Sequence, residues 1–488
     1  VSDIEASGVL TERDERNPWV LVATMCMVAL TVAVLQTGVV PVLGVMARQL
    51  NVSGVDVSWA VTANLLAAAA STPLLGRLAD LNVKKRVLLA VLFVVLAGSL
   101  LGAMTSSLPL LIAARVLQGA SFALYPIAVS ILREELPGDR LMTAMAVLSA
   151  VLGFGGGVGL VITGLLMRGD ASYHRVFWFT AAFLVAVIAA VLALVPRRPA
   201  STSGTVDWVG AAGLAAGLSP LLLAITQGNV WGWTDPRTVG SAALGAAVLA
   251  LWWWWEGRCD QPLVSIGMLT RRSLLLTNMA TIAVGMGLYF GFLGLTGFVQ
   301  APKETGYGFG ASVLEASAVY LFPGALAGFA TALVSGRYID RYGARTVMVI
   351  GTVTGIPGFA MLAAAHSTTA QMIAGIILVN IYISLAYGAL PALIIGEVEP
   401  GETGVATSIN AIARTVGGSL AAALAAVLLS HHGPDGFPLE TGYTVIFGLG
   451  ALTAGMAMLL IIASRPRLRQ LETIDDLTSS RAMNHEWG

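Results

Sequence analysis

GRLADLNVKK at residues 76–85 and GRYIDRYGAR at residues 336–345 are one phrase set down twice, 260 residues apart. Each opens Gly-Arg, places an aspartate four residues after the glycine, and follows it with basic residues. The surrounding chain is 56% hydrophobic and only 11% charged over 488 residues, with a mean hydropathy of +0.81. A polar phrase repeated in such a chain marks a duplicated loop, and the fold follows from where those loops lie.

A chain this apolar satisfies its backbone only inside a bilayer, as helices or as a closed barrel. Its apolar runs are continuous and about 20 residues long rather than alternating, so they read as helices. Fourteen spans are predicted. The first seven cover 19–46, 54–79, 86–105, 108–132, 141–167, 174–195 and 207–227; the rest cover 238–256, 272–299, 312–338, 345–366, 369–396, 404–430 and 442–464. The first run has a polar lead and no small-residue cleavage site behind it, and reads as an uncleaved anchor. The basic residues test the count. With the N-terminus in the cytoplasm, the inner segments hold 20 of the 27 Lys and Arg. The outer loops hold five (Arg48, Arg168, Arg175, Arg237 and Lys303), and Arg115 and Arg414 lie within spans. That asymmetry fits an even number of spans with both ends inside. Trp252 to Trp255 sit where an interfacial aromatic belt is expected.

Both copies of the opening phrase then fall in cytoplasmic loops, between spans two and three and between spans ten and eleven. A second pair keeps the register: EELPGD at 134–139 and EVEPGE at 397–402. Two matched pairs imply two halves related by duplication, the arrangement of a transporter with a central binding site. The expected divisions are a cytoplasmic N-terminus at 1–18, a six-helix bundle at 19–195, two extra helices at 207–256, a second six-helix bundle at 272–464 and a cytoplasmic tail at 465–488. The halves are expected to rock against each other with spans seven and eight peripheral.

The chain resembles the major facilitator superfamily, whose signature loop between the second and third helices of each half reads Gly-x-x-x-Asp-Arg-x-Gly-Arg-Lys. The second copy matches with Gly336, Asp340, Arg341, Gly343 and Arg345; the first keeps Gly76, Asp80, Lys84 and Lys85 but has Leu81 and Val83 for Arg and Gly. The two loops lie eight spans apart rather than six. With VDWVGA at 206–211, TQGNVWGW at 226–233, RVLQG at 115–119, TGYGFGASVLEAS at 305–317 and NAIARTVGG at 410–418, the chain looks like the fourteen-helix drug:proton antiporter family of bacterial multidrug efflux. The resemblance implies an all-α polytopic protein with a major facilitator fold: two six-helix bundles plus two extra helices in the cytoplasmic membrane. It implies proton-driven export of amphipathic drugs or metabolites by alternating access, with no enzymatic activity.

The resemblance assigns roles residue by residue. Asp80 and Asp340 are gate residues, able to pair with arginines and helix N-termini of the opposing bundle. The full set of basic partners in the second copy gives Asp340 the larger expected role. Arg115, with Gln118 and Gly119, matches a motif implicated in proton transfer or its electrostatics; the bland alternative is an arginine tied to backbone carbonyls. Arg414 either contacts substrate or pins its helix. GFGGGVGLVITG at 153–164 stands where an antiporter motif is expected but lacks its proline, so a general packing face explains it almost as well. Span one departs from the family: VLQTGVV at 34–40 has Leu35 and Gln36 where an aspartate is common, and glutamine carries no proton. No span offers an acid near its centre. Glu315, and after it Asp56, are the remaining candidates for proton coupling, on the expectation that partial desolvation raises the Glu315 pKa. Gln36, Asn64, Tyr125, Tyr320, Asn380, Tyr387, Asn410 and Arg414 are the expected polar lining of a substrate cavity.

A formal net charge of zero argues against nucleic acid as a partner. The five histidines lie in loops, span ends or the tail, which argues against a metal site or an intramembrane enzyme. No cofactor is expected. The partners expected are protons, the bilayer and an amphipathic or lipid-like substrate, with the chain acting as a monomer. The alternative reading is an exporter or flippase of lipid-like molecules with weak or atypical proton coupling. A receptor or scaffold is disfavoured by the lack of any sizeable soluble segment.

Overall fold

The computed structural model describes residues 18–39, 42–167, 171–199, 204–431, 433 and 436–464. The N-terminal segment before Pro18, the tail after Ser464, Arg168 and His432 lie outside the described residues. Among the described residues are fourteen helices long and apolar enough to cross a membrane, as the sequence predicts. We number these α1 Pro18–Thr37, α2 Gly54–Leu81, α3 Lys84–Met104, α4 Leu108–Glu135, α5 Gly138–Leu166, α6 His174–Leu194 and α7 Trp208–Trp231. They continue as α8 Pro236–Glu256, α9 Arg272–Gln300, α10 Ala316–Tyr342, α11 Ala344–Ala364, α12 Thr369–Ile395, α13 Thr403–Leu429 and α14 Glu440–Ala463.

Local chemistry starts several of these helices. Ser53 and Asp56 form a capping box at the head of α2: the Asp56 N–H donates to Ser53 Oγ at 3.0 Å, and Asp56 Oδ2 accepts from the Ser53 hydroxyl at 2.7 Å. The second half repeats the device before α10, where the Glu315 N–H donates to Ser312 Oγ at 3.2 Å and Glu315 Oε2 accepts from the Ser312 N–H at 2.8 Å. Asp207 caps α7 through the Gly210 N–H at 2.8 Å and accepts from the Trp255 indole at 2.9 Å, which accounts for the VDWVGA phrase. Helix ends differ from expectation where they meet the repeat phrases. Asp80 and Asp340 lie in the last turns of α2 and α10 rather than in loops, which leaves only short turns before α3 and α11. Span one ends nine residues early, at Thr37, and is followed by a short helix, Leu43–Leu50. Gln36 therefore sits in the last turn of α1.

Burial collects the helices into two six-helix bundles. One apolar core runs from Leu21 to Val195 with Ile395 added; a second runs from Ala280 to Ile461. Where the bundles meet, α5 packs against α10 and α12, and α13 packs against α2 and α4. Spans seven and eight were expected to be peripheral. That holds for α8, which packs chiefly on α7, but α7 lies along the seam between α2 and α13. Gln227 Nε2 donates to Thr62 Oγ1 of α2 at 2.9 Å, and Asn229 Nδ2 donates to the Ala423 carbonyl of α13 at 2.9 Å. Leu222 meets Ala69 and Ala411 of the same two helices around a small apolar void. Thus α7 touches both bundles, its polar TQGN phrase supplying a bond to each.

Candidate functional site

The seam at the end carrying the repeat phrases is built around Asp80, which is fully buried. Its Oδ1 accepts from the Gly404 N–H at 3.1 Å and from Ser130 Oγ at 3.3 Å, and its Oδ2 accepts from the Val405 N–H at 3.1 Å. Gly404 and Val405 open α13, so a carboxylate of the first bundle caps a helix N-terminus of the second, where unpaired N–H groups and the helix dipole favour negative charge. Gly76, one turn before Asp80, makes the approach possible. A Cβ there would stand 2.3 Å from Ser408 Oγ and 2.8 Å from the Gly404 carbonyl oxygen. Arg133 at the end of α4 adds a second crossing, donating to the Val398 carbonyl at 2.9 Å, to the Glu399 carbonyl at 3.4 Å and to the Thr403 hydroxyl.

The second copy shares the close packing but not the burial. Gly336 lies against α5, where a Cβ would come within 2.6 Å of the Thr143 Cα. Asp340 is exposed. In both copies several basic residues bind within their own bundle: Lys84 pairs with Glu134, Lys85 donates to the Val195 carbonyl at 2.6 Å, and Arg345 reaches Ser464 Oγ at 3.4 Å. Arg341 stacks on Tyr342 at 5.3 Å. The expectation that Leu81 and Val83 weaken the first copy needs correcting. The donors to Asp80 are two backbone N–H groups and Ser130, so the residues that the first copy lacks take no part in its contact.

The two acids expected to carry protons are helix caps. Glu315 and Asp56 are exposed and occupied by the serine cap bonds described above. The backbone N–H and hydroxyl of Ser312 hold the Glu315 carboxyl below the usual range, the reverse of the expected rise. Partial desolvation fails because the side chain points back over the first turn of its helix into solvent.

Arg115 is 1% exposed and satisfied. It donates to the Ala60 carbonyl at 3.1 Å, the Leu35 carbonyl at 3.4 Å and Gln118 Oε1 at 2.7 Å, while Gln118 Nε2 donates to Ser99 Oγ at 2.9 Å. The Arg-x-x-Gln-Gly phrase thus ties α4 to α1, α2 and α3, and Gly119 lets α2 close to contact, a Cβ there lying 2.8 Å from the Asn64 carbonyl oxygen. The glycines of GFGGGVG do similar packing work: Gly155 meets Leu30 and Ala33, Gly159 meets Thr37, and Gly157 faces Ala325 across the bundles.

Arg414 is different. Eleven residues into α13 and about 16 Å from its first turn at helical rise, its guanidinium lies 4.9 Å from the Tyr387 ring and 5.6 Å from the Tyr125 ring, one from each bundle. Tyr125 is fixed by a 2.9 Å bond to Ser149, and Tyr289 packs on Gly418, one turn along α13. Arg414 makes no hydrogen bond and no ion pair among the described residues.

Of the expected cavity lining, Tyr125, Tyr387 and Arg414 come together, and the others do not. Asn64 donates to the Arg115 carbonyl at 2.9 Å, Tyr320 meets Thr369 at 3.1 Å at the far end of α12, and Asn380 binds the Ile376 carbonyl of its own helix at 3.0 Å. Asn410, one turn below Arg414, donates to Thr281 at 2.6 Å and to Asn278 at 3.2 Å. Gln36 is displaced by the early end of α1. Sequence reasoning missed Arg133, and the repeat could not reveal it, because Gly396 occupies the matching place in the second copy.

The family model of the Major Facilitator Superfamily matches residues 25–330 and 279–481. The chain belongs to the Major Facilitator Superfamily. It is 30% identical to the puromycin resistance protein pur8 of Streptomyces alboniger over 482 residues, covering 92% of each chain. It is 29% identical to the lincomycin resistance protein of Streptomyces lincolnensis, again over 92% of each chain. Among solved structures, the human organic anion transporter MFSD10 (TETRAN) superposes with a TM-score of 0.63 at 15% identity, covering 90% of this chain and 99% of that one, a likeness of fold alone. This superfamily member is a multi-pass membrane transporter, not an enzyme, and its fourteen spans fit the drug:proton antiporter type.

Proposed function

We propose that this transporter exports amphipathic drugs or metabolites across the bacterial cytoplasmic membrane by alternating access, in exchange for protons. The reading rests on the seal at Asp80, a buried carboxylate of one bundle capping the first turn of a helix in the other. Such a bond closes one end of the central seam and must break when that end opens. The basic-residue asymmetry supports a cytoplasmic position for this end and both termini, and on that reading the described conformation is the one closed to the inside. The relatives named for resistance to puromycin and lincomycin support a drug-like cargo moved out of the cell. The divisions are the two bundles at 19–195 and 272–464 and the helix pair at 207–256, of which α7 braces the seam on one side and α8 packs on α7.

A second reading is kept alive by a specific observation: every Asp and Glu of a spanning helix lies within its end turns, and Glu315 and Asp56 are caps. An exporter of lipid-like molecules with atypical coupling needs no carboxylate at the membrane centre. Purified protein in liposomes, with an imposed pH gradient, a pH-sensitive dye inside and a panel of amphipathic dyes as cargo, separates the two. Cargo-dependent proton flux is expected. Cargo movement without it would remove proton exchange and leave the second reading.

A further inference from the structure

Spanning helices of this chain hold only two charged residues that lie seven or more positions from either helix end, Arg115 and Arg414, and both are cations. Arg115 has its acceptors. Arg414 has none, although a guanidinium offers five N–H donors in a planar fork and an arginine inside a bilayer costs at least about 2.5 kcal/mol by insertion scales. An arginine kept only to pin a helix would be tied to carbonyls, as Arg115 is. The neighbours of Arg414 are instead aromatic faces held about 5 to 6 Å away, near enough for cation–π attraction and too far for hydrogen bonding. The Tyr289 and Tyr387 hydroxyls also make no hydrogen bond among the described residues. The fork and the two phenols together present donors and π-faces where the bundles meet.

We infer that the cargo is a planar aromatic molecule bearing a carboxylate or an acidic phenol, its oxygens received by Arg414 and its ring stacked among Tyr125, Tyr289 and Tyr387. The assignment rests on the transporter reading and narrows it. An anionic pair of oxygens satisfies the guanidinium fork bidentately, and a flat ring matches the tyrosine faces. A cationic drug would meet the half-buried Arg414 guanidinium with no Asp or Glu of a spanning helix outside the end turns to offset it, a repulsion that low local dielectric strengthens. Shape alone would accept either charge, so charge is what discriminates.

Two probes of similar size test this: anthraquinone-2-carboxylate and ethidium. Uptake is read in everted vesicles containing the full chain, and affinity is read by equilibrium dialysis against the purified protein. The carboxylate should be taken up and bound about tenfold better than ethidium or more. Arg414→Gln should lose most of the carboxylate affinity, Arg414→Lys should keep part of it by retaining charge without the fork, and Tyr387→Leu should weaken it to a smaller degree. Ethidium binding as tightly as the carboxylate, or carboxylate affinity unchanged in Arg414→Gln, overturns the inference. Should Arg414→Gln fail to fold, unchanged affinity in both Arg414→Lys and Tyr387→Leu overturns it equally. Arginine-dependent binding without uptake by the unmutated protein would leave the site standing and sink the transport reading instead. Neither binding nor uptake of the carboxylate would sink both.

Discussion

The two copies of the repeat phrase occupy equivalent places in the two bundles and do different work. In the first, a fully buried Asp80 crosses to the other bundle and caps α13. In the second, Asp340 is exposed, although its phrase is the more complete. The glycines show no such split, because Gly76 and Gly336 each bring a helix of one bundle against a helix of the other at distances no side chain tolerates. Duplication therefore kept the steric half of the gate in both copies, while the electrostatic half is buried in one. A motif's completeness measures its ancestry better than its present load.

The largest expected effect tests that asymmetry directly. Asp80→Asn removes the charge from a cap made by two backbone N–H groups; hydrogen bonds to charged groups are worth about 1.5–3 kcal/mol, so the closed inner end should lose stability by about 2 kcal/mol, roughly 30-fold in the balance of states. Export of a dye by proteoliposomes at matched protein insertion should fall correspondingly. An equal loss in Asp340→Asn would break the comparison.

Next come the glycines, where the copies should behave alike. Gly76→Ala and Gly336→Ala each drive a methyl group into the facing helix, and overpacking of this kind costs about 1–3 kcal/mol. Crosslinking between cysteines introduced across each seam should decline to a similar extent in both variants. A loss confined to Gly76→Ala would mean that the second copy no longer closes anything.

Asp340→Asn is expected to change export by less than about twofold, since an exposed charge is screened by water and salt. The smallest effect is expected from Glu315→Gln. Its carboxyl pKa lies below the ordinary value because Ser312 donates to it, so its contribution to stability is complete above the unfolded-state pKa and fades as pH falls through the lowered one. Thermal unfolding of Glu315→Gln should therefore run slightly below the unmutated protein near neutral pH and converge with it in acid. The dependence of export on the pH gradient should not change. Loss of coupled export in this variant would restore Glu315 as the proton carrier.

Much of the fold was legible in the chain because the bilayer imposes it. Apolar runs of spanning length, a basic-residue bias and a phrase repeated at 260 residues fix the number of helices and the two-bundle plan, since none of these needs knowledge of a distant contact. The capping boxes at Ser53 and Ser312 could also have been read as Ser-x-x-acid at helix heads, a local signal that competes with a proton-coupling role and here outweighs it.

What only the tertiary structure decided is which polar groups find partners. Sequence placed Arg115 and Arg414 alike, as costly cations inside spans. Packing gave Arg115 the Ala60 and Leu35 carbonyls and gave Arg414 only tyrosine rings, because the first faces its own bundle and the second faces the seam. The same holds for Asp80 and Asp340, and for α7, whose Gln227 and Asn229 reach one bundle each. A residue's type sets the free energy at stake on burial. The partner that meets it across the fold decides whether that energy is recovered as structure or left open for a ligand.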